Sequence, residues 1–525
     1  MLKEKIVILN FDIQNAHFIA KQVRTLGYYS EICFPNIDIS ELQNVKGIIL
    51  SPISDTKNNS TNTEFNQNIL SLEIPILDLR QEKKFIEKYS DTSLLKDFIE
   101  KCKIQKNWNL DIILANIIQQ IQFEIGNKNA LVFLSGGIKS TVIFALLNKA
   151  LGKERVLGLH IDNGFMRKNE SNLIVQKYID YGFSNFILED KSQNFLSAIE
   201  KIINAEEKKQ IIYQKFLEIY NEILKEQNLL EKEWILAQSF LYNDIIENGQ
   251  TKNTHGIKIN PNKILGVQTL LSKGLIINPL KDLYLCEVKL LAKKLELPEE
   301  LFTTHPFARE GLSVNVLCSN EVLTSQEERE LKKANQKLSE LDLSENIKSD
   351  SYLLKALPIK STGIQTDFKE YKFTASLYLN NKKIPDWEIL EKASSFITNS
   401  VEDVNRIIYC IYEKENCVLQ EQFCTKKRLD QTREVDEIVI DELKENNWYS
   451  KISQHLTINL PYATSKEKCS IVLRPVISED GTTAKFAKIP LEILEKIIEK
   501  ISKLDFVDGL YFDITNKPPS KITWE

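Results

Sequence analysis

One stretch constrains this chain more than any other. Ala130 to Leu134 is an unbroken apolar run, Ser135-Gly136-Gly137 follows at once, and Ser140 to Lys149 then carries apolar residues at helical spacing. A second apolar run, Val156 to Ile161, closes the unit. Strand, tight loop, helix, strand is a βαβ crossover; it calls for a parallel sheet and puts the loop at the carboxyl end of the strands, where ligands sit in such sheets. Adjacent glycines let backbone N–H groups converge on an anion, and the helix N-terminus adds partial positive charge. The element predicts a nucleotide phosphate loop made of Ser135, Gly136, Gly137, Lys139, Ser140 and Thr141. Gly-Gly turns after strands are common, so the placement carries this reading more than the tripeptide does.

The same alternation fills the first 80 residues. Strands are expected at 6–10, 47–50 and 74–77, and a helix at 16–26 with Ile19, Val23 and Leu26 on one face. The polar stretch 55–68 reads as loop. Helices are expected at 110–123, through the charged region 191–235, and at 280–298, with 325–350 an exposed helix or linker. An internal repeat follows. Leu357-Pro358, IPDWEILEK at 384–392 and the strand 406–411 are echoed by Leu460-Pro461, IPLEILEK at 489–496 and the strand 509–514. Two copies of a β-rich α+β unit can pack together as a pseudo-dimer, which makes a monomer sufficient, and two are too few for a solenoid.

Composition excludes several classes. Lys+Arg 68 against Asp+Glu 73 leaves a net charge of -5, against a nucleic-acid partner. The lysines are spread along the chain and are expected on solvated faces. No basic-then-apolar leader precedes the strand at Lys5, and no apolar run reaches the roughly 18 residues that span a bilayer. The eight cysteines contain no CxxC pair and accompany only five histidines, so reduced structural thiols in a cytoplasmic protein are expected, with no zinc site and no membrane partner.

Five motifs in order carry a family resemblance. LSGGIKST at 134–141 resembles the SGGxDS loop of the PP-loop ATP pyrophosphatases. HIDNGFMRKNE at 160–170 is similar to the stretch that follows it in GMP synthetases, with Asp162 and Arg167 in place. LAQSFLYNDIIE at 236–247 keeps Gln238, Tyr242 and Asp244; HPFAREGL at 305–312 resembles the lid segment; Lys517-Pro518-Pro519 through Trp524-Glu525 resembles the family's C-terminus. The repeat resembles the longer, eukaryote-type members. The resemblance implies a reaction in which XMP is adenylated by ATP with Mg²⁺ and ammonia then displaces AMP to give GMP. It implies an ATP side at Asp162, Arg167, Gln238 and Asp244, and an XMP or GMP side at Gln454, Arg474, Thr483, Lys517 and Glu525. Arg and Lys suit phosphate capture.

The departures are clustered. Lys139 stands where the family's loop has Asp, which puts +1 for -1 beside a triphosphate and its metal. Two unit charges ~4 Å apart interact by about 4 kcal/mol at an effective dielectric near 20, so the exchange argues against the usual ATP-Mg²⁺ arrangement, although Lys139 could hold a phosphate directly. Ser239, Asn260-Pro261, Leu285-Cys286, Thr304 and Ala308-Arg309-Glu310 also depart from the pattern on the adenylating side, and Thr366, Phe368 and Lys369 in the first repeat. At the N-terminus, IVILNFDIQ at 6–14 and GIILSP at 47–52 resemble a class I glutaminase, which needs a thiolate beside a His base. Arg80 stands at the nucleophile position, the one His before residue 160 is His17, and too few residues separate Arg80 from Ser135 to complete a glutaminase.

The expected organisation is α/β throughout: 1–108 a truncated flavodoxin-like glutaminase remnant, 109–320 a parallel-sheet PP-loop domain, 321–450 a linker and first dimerisation-type repeat, and 451–525 the second, XMP-binding repeat. The expected function is a repurposed GMP synthetase homologue that binds a purine nucleotide monophosphate without glutamine hydrolysis. An ammonia-dependent ATP-using ligase and a non-catalytic interaction scaffold are the alternatives.

Overall fold

The computed structural model describes residues 4–53, 65–82, 92–226, 233–242, 272–301, 305, 310–344, 347, 352–365, 368–379, 386–478 and 483–525. The chain forms two compact units. One comprises Met1–Glu124, Leu241–Asp244 and Asp282–Lys294; the other comprises Ile125–Phe240, Ile245–Lys281 and Leu295–Glu525.

The first unit holds a parallel sheet of β1 (Lys5–Leu9), β2 (Ser30–Cys33), β3 (Val45–Leu50) and β4 (Ile76–Asp78), in the order β2-β1-β3-β4. The helix α1 (Ile13–Thr25) is N-capped by Asp12, whose carboxylate accepts the Asn15 N–H. It turns Ala16, Ile19, Ala20 and Val23 inward. Val7, Leu9, Ile48, Leu50 and Ile69 fill one core layer. α2 (Ser93–Cys102) and α3 (Leu110–Ile125) complete the covering. Arg24 is buried in a box of rings, its guanidinium carbon 4.9 Å from Trp108 and 4.7 Å from each of Tyr242 and Tyr284, with Glu287 at 2.9 Å supplying the counter-charge. A desolvated guanidinium over ring faces gains about 2 kcal/mol or more. Tyr242, read from sequence beside the nucleotide motifs, thus serves this box. Its hydroxyl accepts the Ile32 N–H at 2.5 Å.

In the second unit, β5 (Asn129–Phe133), β6 (Val156–Asp162), β7 (Phe186–Asp190), β8 (Trp234–Ala237) and β9 (Ile276–Ile277) form a wholly parallel sheet in the order β7-β6-β5-β8-β9. The crossover helix α4 (Ile138–Leu151) buries every residue from Ser140 to Leu147, as a helix on such a sheet must. α5 (Glu170–Asp180) follows β6. The region 191–235, expected as one helical stretch, divides into α6 (Ser192–Ala198) and α7 (Ala205–Glu226) before β8 begins.

A second sheet holds β10 (Tyr352–Gln365), β11 (Phe368–Leu379), β12 (Val404–Glu413), β13 (Gln454–Leu460), β14 (Cys469–Ile477) and β15 (Val507–Asp513), ordered β10-β11-β12-β15-β14-β13. Each half runs helix, strand, strand, helix, strand. α8 (Ser325–Ser339) and α9 (Trp387–Ser400) belong to the first half, α10 (Lys426–Glu445) and α11 (Leu491–Ile501) to the second. The halves meet where β12 and β15 pair antiparallel. Of the expected exposed helix or linker, 325–339 forms the helix α8: a capping box joins Thr324 and Glu327, and Ala334 and Leu338 alone are buried, in the main core. Among the described residues no helix is long and apolar enough to cross a membrane. All eight cysteines are free thiols.

Candidate functional site

The loop after β5 is closed by its own hydroxyls. Ser140 Oγ accepts the Ser135 N–H at 3.2 Å and donates to Gly137 O at 3.1 Å, and Ser135 Oγ sits 3.1 Å from it. Thr141 Oγ1 also donates to Gly137 O, at 3.0 Å, so the Tyr178 hydroxyl 2.8 Å away is the donor to Thr141. Gly136 has φ +74 and lies against Ile174, so a Cβ there would be both strained and crowded. Gly137 is the N-cap of α4 and supplies no side-chain cap, which leaves the first-turn N–H groups of a 14-residue helix facing the loop. Lys139 is half-buried in that first turn. The donor set here is the backbone N–H groups of the loop and first turn, since the three hydroxyls spend their protons within the loop. Such a set suits an anion; a divalent cation asks for oxygen ligands, several of them carboxylates. Asp162, at the end of β6, has one oxygen committed to the Gly164 N–H at 2.8 Å.

Asp162 opens a tight turn. Asn163 Oδ1 accepts the Phe165 N–H at 2.9 Å, and Gly164 has φ +74. Gly311, at φ +56, packs on Phe165, whose carbonyl accepts the Leu312 N–H at 2.7 Å. An added Cβ at Gly311 would lie 2.7 Å from Phe165 Cβ and against its carbonyl. Gly311→Ala is therefore expected to destabilise the second unit by about 1–3 kcal/mol, from left-handed strain and a backbone clash together. Chemical denaturation checks this, and an unchanged midpoint would show that the turn yields freely.

Residues that sequence reasoning passed over grip this turn. Arg433 on α10 donates from Nη2 to Gly164 O at 2.6 Å and from Nε to Met166 O at 2.8 Å. Arg167 Nε lies 3.1 Å from Asp436 Oδ2. Arg428, Thr432 and Asp436 recur every fourth residue on one side of α10, and all three are buried. They meet the inward polar residues of β13: Asn459 Oδ1 accepts from Arg428 Nη2 at 2.5 Å, and Asp436 Oδ1 accepts from Thr457 Oγ1 at 3.0 Å. That four-residue recurrence was the available signal. Two buried histidines adjoin: burial holds His455 down to about 3 and His305, stacked on Tyr449 at 3.8 Å, down to about 4, so both are neutral.

The residues expected on the nucleotide monophosphate side separate into two groups. Ser453, beside Gln454, donates from Oγ to Ser478 O at 2.6 Å, and Ser478 Oγ donates to Thr483 O at 2.5 Å. Ala484 and Lys517 exchange both backbone hydrogen bonds, at 3.1 and 2.7 Å. Gln454, Thr483 and Lys517 thus share one end of the sheet. Arg474 is set apart by its contacts: it is fully buried, and its guanidinium is taken up by the carbonyls of Thr515, Lys521 and Ile522, by Ser520 Oγ and by Asp513 at 2.7 Å. Arg406 reaches the same Asp513 Oδ2 at 2.6 Å. Burial pushes the Asp513 carboxyl up, but the two guanidiniums outweigh it and hold it below its ordinary range. Glu525 is buried against Lys208 of α7 at 2.6 Å. Lys208 is fully buried, against the expectation that the lysines lie on solvated faces. Burial pulls its ammonium down, and Glu525 more than restores it.

On the ATP side, Gln238 follows β8 with its N–H bonded to Ile277 O at 2.9 Å; Asp244 lies outside the described residues, as do Asn260-Pro261, Thr304 and Ala308-Arg309. In the first unit, Arg80 sits just past β4 with Nη2 2.7 Å from Asp78 Oδ2, and Phe65 packs 4.9 Å from its guanidinium. Burial pushes the Cys33 thiol up to about 12 and the Cys102 thiol up to about 11. His17 Nδ1 is bonded to the Tyr284 hydroxyl at 2.9 Å.

The family profile described as "GMP synthase C terminal domain" matches residues 441–524. The "Probable GMP synthase [glutamine-hydrolyzing]" of Leptospira interrogans is 29% identical over 624 aligned positions that span 100% of both chains. The "Putative GMP synthase [glutamine-hydrolyzing] 2" of Bacteroides thetaiotaomicron is 28% identical over 80% of this chain and 100% of its own length. A solved NH3-dependent NAD synthetase from Campylobacter jejuni covers 45% of this chain and 90% of its own at 17% identity, with a TM-score of 0.27, too slight a likeness to bear on function. The two relatives and the profile support a family relationship between this chain and the glutamine-hydrolyzing GMP synthases.

Proposed function

We propose that this protein is a repurposed relative of the GMP synthases that binds an XMP- or GMP-like purine nucleotide through its C-terminal sheet and does not hydrolyse glutamine. The observation that carries the reading is the grouping of Gln454, Thr483 and Lys517 at one end of the sheet, inside the region matched by the GMP synthase C-terminal profile. The equal element order of the two sheet halves supports reading them as two copies of one unit. The loss of glutaminase chemistry is supported by the Arg80–Asp78 pair at the expected nucleophile position, by high thiol pKa values at Cys33 and Cys102, and by a His17 already engaged with Tyr284. The alignment with the Leptospira relative runs to 624 positions against 525 residues here, so that relative carries stretches without a counterpart.

Calorimetric titration of the full chain with XMP and GMP tests the binding. A charged hydrogen bond to phosphate contributes about 1.5–3 kcal/mol, so Lys517→Ala is expected to weaken either ligand by roughly ten- to a hundredfold. Absence of binding in the unaltered protein would remove the reading. The second reading, an ammonia-dependent ligase, is favoured by the retained Asp162, Arg167 and Gln238; ATP–pyrophosphate exchange stimulated by XMP would establish it.

A further inference from the structure

We propose that Asp436 is a positioning residue that couples the 162–167 turn to the Gln454 end of the C-terminal sheet, so that a phosphate ligand at Arg167 and a purine nucleotide on the sheet side bind cooperatively. The inference rests on the reading above and adds the link between the two sides. The carboxylate of Asp436 divides its two oxygens between them. Oδ2 takes the Arg167 guanidinium at 3.1 Å, and Oδ1 takes the Thr457 hydroxyl at 3.0 Å. Thr457 is on β13, three residues from Gln454. Because Thr457 spends its one proton on Asp436, the His455 Nε2 at 3.0 Å must carry the proton of that contact. The chain of bonds is therefore directional: His455 to Thr457 to Asp436, with Arg167 closing it from the other side.

Three features make it a device rather than a surface ion pair. Asp436 is 2% exposed, so its negative charge is uncompensated unless Arg167 stays. Arg433, three residues earlier on α10, fixes the carbonyls of Gly164 and Met166, so the turn leading into Arg167 moves with that helix. Glu170 Oε2 accepts the Arg167 N–H at 2.9 Å, which fixes the backbone from which the guanidinium projects. A ligand that shifts β13 must act on Thr457, and through Asp436 on Arg167.

The test measures GMP affinity of the full chain by calorimetry, with and without saturating inorganic pyrophosphate. Pyrophosphate is expected to tighten GMP at least fivefold, within the usual range for coupled sites. Thr457→Val should abolish that factor while each ligand still binds alone. Asp436→Asn should abolish it and also weaken pyrophosphate by itself. Both ligands binding without coupling in the unaltered protein, or equal coupling in Thr457→Val, would overturn the proposal. Thr457→Val carries the test if Asp436→Asn does not fold. If GMP does not bind at all, the underlying reading falls, and the link is then read by hydrogen exchange at 163–167. Exchange there should quicken about tenfold in Asp436→Asn, and unchanged exchange would overturn the link itself.

Discussion

Replacing Asp513 by asparagine will lower the unfolding free energy of the second unit by about 3–5 kcal/mol, the usual loss when one partner of a buried ion pair is removed. The carboxylate is wholly buried between Arg406 and Arg474, and each of those guanidiniums is itself fully buried. Removing the negative charge leaves two desolvated cations facing each other. It also loosens the tail, because Arg406 and Arg474 hold the carbonyls of Lys521, Ile522 and Thr523. The pH dependence has a definite sign. A depressed carboxyl pKa contributes stability that is fully present above the unfolded value, about 3.9, and is lost as pH falls through the folded one. The gap between Asp513→Asn and the unaltered protein should therefore stay constant from pH 7 to about 4 and shrink below that. Urea denaturation at stepped pH reads both quantities. A gap under about 1 kcal/mol at pH 7 would show that the guanidiniums find other partners.

Lys139→Asp will reverse the metal preference of the nucleotide loop. The loop as built offers backbone N–H groups, with Lys139 in the first turn of α4, where a cation is disfavoured unless an anion is bound. Pyrophosphate or ATP free of metal should therefore bind at least as well as the Mg²⁺ complex. With aspartate at 139 the metal-free ligand meets a carboxylate and should require Mg²⁺ to neutralise it. Each charge contact is worth about 4 kcal/mol at ~4 Å in a medium of effective dielectric near 20. Lys139 is only half-buried, so solvent screening reduces this, and a roughly 10- to 100-fold swing in the ratio of affinities with and without Mg²⁺ is the expected result. The measurement is calorimetry of both proteins with and without the metal. Identical ratios would show that Lys139 points its charge away from the ligand, and gain of ATP–pyrophosphate exchange in the variant would favour the ligase reading.

What could be read from sequence followed from burial. The β5–loop–α4–β6 unit was legible because both strands and the helix are apolar nearly throughout, and Gly136 marks a left-handed turn. β2 and β7, SEIC and FILED, were not, because two residues of each are polar and each is short. The grip of α10 on the 162–167 turn was hidden for a different reason. Arg428, Thr432 and Asp436 look like a solvated face, and only the polar inward side of β13, with Thr457 and Asn459, turns that face into an interior one. The surroundings of Arg474 were equally hidden: its guanidinium is held by carbonyls of its own chain, which no pattern of residue types reveals. Lys208 makes the same point, since a lysine on a charged helix gives no sign of its buried partner 317 residues later in Glu525.

The place of β15 has a consequence for how this chain reaches its fold. It lies in the middle of the second sheet, between β12 and β14, yet it is the last of the six strands to be synthesised. Until it inserts, β12 and β14 each present an unsatisfied edge of N–H and C=O groups, and such edges invite pairing with other chains. Long-range insertion of this kind closes slowly. The nascent protein therefore passes through a stage in which two half-sheets are open to association, and its yield in the cell should depend on chaperones that shield those edges more than on the stability of the finished molecule.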